Sequence, residues 1–151
     1  MVEYVGENME VVLCNDLNWL LSMEAFSIYA SCMYQPTFEG YKIQIKNFIS
    51  DPSVKIFVCK VHDQKVGILI LRQAEDILEI IGIAVSDRFR NRGVGKYMIN
   101  KIRKLEKLRC IKAQTDNDAI GFYRKCGFED EKKFIEYSEG MSVRYDCTLK
   151  N

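Results

Sequence analysis

Three arginines stand within five residues, at Arg88-Phe89-Arg90-Asn91-Arg92, and Gly93-Val94-Gly95-Lys96 follows at once. The nine residues Ile77–Val85 ahead of them are almost continuously apolar. The stretch behind them is basic, with Met98, Ile99, Ile102 and Leu105 on one helical face. The expected order is therefore a buried strand, a polar loop and a helix. A helix start presents unpaired N–H groups and a partial positive charge, and glycines let a ligand approach the backbone. Arginines beside it add forked donors that match phosphate oxygens. Residues of these types at this spacing can bind a phosphate or pyrophosphate. Two other phosphate loops do not fit. A P-loop needs Gly at Arg90 and Ser or Thr at Tyr97, and a dinucleotide fingerprint needs Gly or Ala at Met98.

The elements that must position this loop can be read along the chain. Met9–Cys14 reads as a first strand, and Asn15 or Asp16 can cap a helix reaching about Met33. Gln35-Pro36-Thr37 breaks the chain, and a shorter helix follows at 40–50, ending near Asp51-Pro52. Val54–Val61 and Lys65–Leu71 form a hairpin whose turn holds the single histidine, His62. After the central strand come a helix over Gly93–Lys107, a strand at Cys110–Gln114, a helix at Asn117–Cys126, and a closing hairpin of Phe128–Tyr137 with Met141–Leu149. The fold class is α/β: a mixed, mostly antiparallel sheet of about seven strands and about four helices around a central β-α-β unit, in one domain spanning 1–151.

Composition narrows the function. The 151 residues are 48% apolar and 28% charged, ordinary for a globular chain. No apolar run approaches the roughly 18 residues that span a bilayer, so no membrane partner is expected. The first 41 residues hold no Lys or Arg, hence no charged region ahead of a secretory signal, and a cytoplasmic location is expected. Six cysteines without a C-x-x-C pair read as small buried hydrophobes in a reducing compartment. One histidine leaves the common metal sites short of ligands, so no metal is expected. Beyond residue 41 there are 22 bases against 15 acids. That excess suits a small polyanion and is too mild and interspersed for nucleic acid.

The loop Arg90-Asn91-Arg92-Gly93-Val94-Gly95 resembles the acetyl-CoA loop of the GCN5-related N-acetyltransferases (GNAT). The strand ending Ile83-Ala84-Val85-Ser86 looks like that family's splayed strand. Asn117-Asp118-Ala119-Ile120-Gly121-Phe122-Tyr123-Arg124-Lys125-Cys126-Gly127-Phe128 resembles its second signature. The resemblance runs from about Val54 to Phe128, and the first 50 residues carry no matching motif. It implies transfer of an acetyl group from acetyl-CoA, as cosubstrate, directly to a primary amine of a small molecule, protein or peptide. Backbone groups of Ile83 and Val85 would hold the pantetheine arm, one N–H polarising the thioester carbonyl. Arg90, Arg92 and the amides of Asn91, Gly93, Val94, Gly95 and Lys96 would hold the pyrophosphate. Tyr123 would protonate the leaving thiolate, and Asn117 would bond the pantetheine arm or cap its helix. Glu79, the only ionisable residue inside Ile77–Val85, is the candidate general base, since burial there would tune a carboxylate for that work. Relatives of this type also pair as homodimers. A non-catalytic acyl-CoA sensor or interaction module on the same fold is the alternative.

Overall fold

The computed structural model describes residues 8–104 and 107–151. Seven strands form one sheet in the order β1-β2-β3-β4-β5-β7-β6: β1 (Met9–Leu13), β2 (Val54–Val61), β3 (Gln64–Ala74), β4 (Ile77–Val85), β5 (Cys110–Thr115), β6 (Glu129–Tyr137) and β7 (Gly140–Lys150). All neighbours run antiparallel except β4 and β5. The crossover between those two carries α4 (Val94–Ile102). The mixed sheet and central β-α-β unit are as expected. Among the described residues no helix is long and apolar enough to cross a membrane.

Each sheet face packs a different set of helices. Val94, Met98, Ile99 and Ile102 of α4, with Ile120 and Tyr123 of α5 (Ile120–Lys125), bury against Cys59, Val61, Leu69 and Leu71. On the other face Leu20 of α1 (Leu17–Leu20), Ala25, Ile28 and Tyr29 of α2 (Met23–Tyr29), and Tyr41 and Ile45 of α3 (Phe38–Ser50) cover Ile56, Val58, Ile68, Ile70 and Ala84. Each such aliphatic side chain contributes about 1.5–3 kcal/mol by leaving water.

Local chemistry explains where the elements depart from the periodicity. The long helix expected from 16 to 33 is broken. Asp16 caps α1 through the Trp19 N–H, but Ser22 then turns extended, caps α2 through the Ala25 N–H at 3.2 Å and bonds back to the Trp19 carbonyl. A serine hydroxyl that satisfies the backbone this way competes with helix continuation. A 3-10 turn at Ala30–Cys32 completes the segment. Thr37 caps α3, so that helix begins at Phe38, ahead of residue 40.

The helix expected to reach Lys107 ends at Ile102, and Leu105 lies outside the described residues. The last helix starts at Ile120, after the Asp116 carboxylate takes the N–H groups of Asp118 and Ala119, both at 3.0 Å. His62 and Asp63 both take positive φ between Val61 and Gln64, the two-residue hairpin turn suggested by their polarity. Four cysteines are buried as expected, whereas Cys14 is half-buried and Cys32 is exposed.

Candidate active site

The site begins with a fault in the sheet. Ile70 pairs with Gly82 but Leu71 pairs with Ile80, so Ile81 is an extra residue in β4. The bulge reverses the alternation: Leu78 and Ile80 precede it on the α4–α5 face, and Ile83 and Val85 take that face after it. Pairing with β5 stops at the same place, Ile80 opposite Ala113, although β4 runs on to Val85 and β5 to Thr115. The two parallel strands therefore part.

Backbone groups line the gap. The Ser86 N–H bonds the Val66 carbonyl at 2.7 Å, marking a hydrogen-bonded pair. Such pairs alternate in an antiparallel ladder, so Ile83 and Val85 turn their N–H and C=O groups away from β3 and into the gap. Side chains reach both carbonyls: Cys32 Sγ donates to Ile83 at 3.1 Å, and Arg90 Nε donates to Val85 at 3.0 Å. The cleft holds about 340 Å³ between Ile81–Ile83 on one strand and Gln114–Asp116, Ala119, Phe122 and Tyr123 on the other side.

At the mouth of the cleft the loop turns twice through left-handed backbone, Asn91 at φ 60° and Gly93 at φ 81°. Asparagine and glycine are the residues that tolerate this conformation. No side chain caps α4, and its first bond is from the Tyr97 N–H to the Gly93 carbonyl. The N–H groups of Val94, Gly95 and Lys96 are thus outside the helical ladder, a built anion cradle. Arg90 stands over the end of β4, with Nη1 on Asp87 at 2.8 Å. Arg92 packs its guanidinium over Phe89.

Gly95 has a reason beside the one its motif suggested. A methyl there would fall 2.8 Å from the Phe122 ring, so this glycine also serves close packing of α4 on α5.

Tyr123 sits on α5, buried, with its ring edge-on to Phe122 and Phe128 at 5.2 Å each. Arg124 holds the helix to β6 through a forked pair with Asp130 at 2.9 and 3.0 Å. Burial pushes the Tyr123 phenol well above its ordinary range, and its hydroxyl takes no partner among the described residues. Asn117 does not cap the helix, which is flanked by Ala119 and has no side-chain cap; the Asp116 carboxylate instead closes the turn ahead of it. The Asn117 side-chain oxygen accepts from the Tyr145 hydroxyl at 2.7 Å.

Glu79 departs most from expectation. The apolar run predicted burial, yet the carboxylate is 58% exposed and 3.8 Å from Arg72. The reason lies in the layers: at this end of β4 the α1–α3 face carries no helix. Glu79, Arg72, Lys112, Gln114, Glu131, Arg144 and Asp146 line an open depression of about 650 Å³ there. It meets the cleft at Ile81 and Gln114, which border both. Apolar continuity could not reveal this charged face, since its residues are spread over β3, β5, β6 and β7.

Residues 52–130 match the model of an acetyltransferase (GNAT) domain. The chain belongs to the GNAT acetyltransferase family. A GNAT family acetyltransferase from Elizabethkingia anophelis with acetyl-CoA bound superposes at a TM-score of 0.69, with 16% identity over 96% of this chain and 99% of that one. A mutant of the spermidine N-acetyltransferase SpeG from Vibrio cholerae gives 0.68, with 14% identity over 95% and 94%. A putative streptothricin acetyltransferase from Bacillus anthracis, in complex with acetyl coenzyme A, gives 0.59 with 25% identity over 70% and 68%. Among curated protein sequences none matches. The GNAT chain described here thus carries the family's fold from the first strand to the last.

Proposed function

We propose that this protein is an N-acetyltransferase that moves an acetyl group from acetyl-CoA directly to a primary amine. The observation that carries the reading is the parting of β4 and β5 beside an uncapped helix start, with a buried phenol in the same cleft. Each part suits one portion of acetyl-CoA. Val94, Gly95 and Lys96 N–H groups, with the left-handed turn at Asn91–Gly93, suit the pyrophosphate. Arg90 and Arg92 stand beside them to add charge. Ile83 and Val85 offer backbone groups at strand spacing to an extended amide-bearing arm.

Acetyl-CoA supplies an activated acyl thioester when bound. One N–H of the Ile83–Val85 edge would bond its carbonyl oxygen as charge develops there, and a fixed backbone donor needs no reorganisation. Tyr123 keeps its proton at neutral pH because burial disfavours the phenolate, so its O–H is assigned to hydrogen-bond the departing sulfur and to give up its proton as charge develops there. Asn117, whose side-chain oxygen is held by the Tyr145 hydroxyl, is assigned to bond the pantetheine arm through its amide nitrogen. Glu79 stands in the depression that adjoins the cleft, and we assign it to receive or guide the amine's proton through water. We take attack to be direct, with no acyl-enzyme formed.

The test is free-thiol release from acetyl-CoA against a panel of primary amines, with Tyr123→Phe and Glu79→Gln beside the parent chain. Amine-dependent release that falls in both variants supports the reading. Acetyl-CoA binding without release for any amine would favour a sensor on the same fold.

A further inference from the structure

We propose that Tyr29 is a second catalytic phenol, whose hydroxyl accepts an N–H of the incoming amine on the side of β4 opposite Tyr123. The inference rests on the transferase reading above and deepens it by assigning the acceptor side of the reaction.

Tyr29 ends α2 and is 3% exposed. Its hydroxyl makes no hydrogen bond among the described residues. Even so, no described buried side-chain oxygen is both unbonded and sealed from open space, so the Tyr29 oxygen must reach space that a ligand or water can enter. A hydroxyl in that setting without a protein partner is left for a ligand or water to satisfy.

Its position says what would meet it. The hydroxyl lies directly over Gly82, and a methyl at Gly82 would overlap it. Gly82 follows the bulged Ile81 and lines the cleft where the strands part. Glycine is required there because the phenol fills the space a side chain would need.

The two phenols reach β4 from opposite layers, Tyr29 with the α1–α3 cluster and Tyr123 with the α4–α5 cluster. Tyr29 lies near enough to Tyr123 to feel its charge, and burial favours the neutral form of both. Acyl transfer needs two proton partners in different places, one for the leaving sulfur and one for the attacking nitrogen. Tyr123 serves the first. Tyr29 occupies the layer that adjoins the open charged depression, from which an amine can enter.

The step balances in atoms and charge. The amine nitrogen bonds to the acyl carbon and the carbon–sulfur bond breaks. The nitrogen's proton passes to the Tyr29 oxygen as that hydroxyl gives its own proton to water, the thiolate takes the Tyr123 proton, and the Tyr123 phenolate left behind takes up the proton released to water.

The experiment compares the full chain with Tyr29→Phe, which keeps the ring and its packing. On an amine that the parent chain acetylates, kcat/KM should fall about 100-fold with most of the loss in kcat. The acetyl-CoA Kd and Tm should stay unchanged, and the solvent deuterium isotope effect on transfer should shrink. Amine kcat/KM within twofold of the parent would overturn the proposal. So would a loss that simply tracks weaker acetyl-CoA binding or a lower Tm, because that is a packing role. If the parent chain itself acetylates no amine, the transferase reading fails and this assignment falls with it, an outcome distinct from an active parent with an unimpaired variant.

Discussion

The two sides of strand β4 differ in how they are built. On the α4–α5 side, chemistry is packed into short sequence stretches: the turn Arg90–Gly93, the helix start Val94–Lys96, and Tyr123 with its clamping neighbours. On the α1–α3 side, the groups around the cleft and the depression beside it come from distant segments: Tyr29 over Gly82, Cys32 and Gln114 at the cleft, and Glu79, Lys112 and Asp146 in the depression. On the proposed function, the first side would hold one ligand, whose pyrophosphate and amide arm demand fixed donors at fixed spacing. The second would admit an acceptor, and an open face of mixed charge leaves that choice to side chains. The proposal thus gives the cofactor to local backbone geometry and the acceptor to scattered side chains.

Substitutions can break this division, and the largest effect belongs to the leaving group. Tyr123→Phe should lower kcat about 100-fold or more while the acetyl-CoA Kd stays within twofold, as read by thiol release and calorimetry. A change in Kd alone would place the phenol in binding.

Arg90→Ala should act on the cofactor side only. It removes charged hydrogen bonds to the Val85 carbonyl and Asp87, and with them the charge beside the cradle. The acetyl-CoA Kd should rise about tenfold, with amine selectivity unchanged.

Gly95→Ala presses a methyl on the Phe122 ring and should cost about 1–3 kcal/mol, read as a lowered Tm. Because α5 would shift with it, kcat should fall too.

Glu79→Gln is the mildest of these and belongs to the other side. The exposed carboxylate should change amine kcat/KM by less than about tenfold and leave the acetyl-CoA Kd alone.

Alkaline pH offers a check that spans both sides. Burial raises the Tyr29, Tyr41 and Tyr123 phenols, and pushes the Cys59 thiol up to about 12 and Cys126 and Cys147 to about 11. An acid whose folded pKa is raised stays protonated in the fold while the unfolded chain ionises. Its stabilising contribution is therefore full below the unfolded value and declines above it. The Tm should hold to about pH 8.5 and then fall, more steeply above about pH 10 where phenols join the thiols. A flat Tm to pH 11 would mean these groups are open to water.

The same contrast explains what could be read from the residues alone. The cofactor loop was legible because its donors are contiguous and its glycine and asparagine mark left-handed backbone. Strand β4 was legible as an apolar run, but its bulge at Ile81 was not, since one extra residue leaves no mark in an unalternating stretch. That bulge opens the gap. Glu79 misled for a related reason: apolar neighbours along a strand do not show whether a helix covers that end of the sheet. The helix after Asp16 broke because Ser22 satisfies backbone groups itself, which periodicity does not weigh. The last helix was expected from Asn117 but begins at Ile120, because the Asp116 carboxylate takes the N–H groups of Asp118 and Ala119 into a turn ahead of it.

Acetyl transfer through the parted strands is the central claim. The most direct measurement is a single turnover with acetyl-CoA carrying a labelled acetyl group, mixed with a primary amine and followed by mass spectrometry of both products. The account predicts the label on the amine nitrogen, one free thiol per label, and no labelled protein at any time, with the rate about 100-fold lower in Tyr123→Phe. Label on the protein, or thiol release at the same rate without amine, would contradict it.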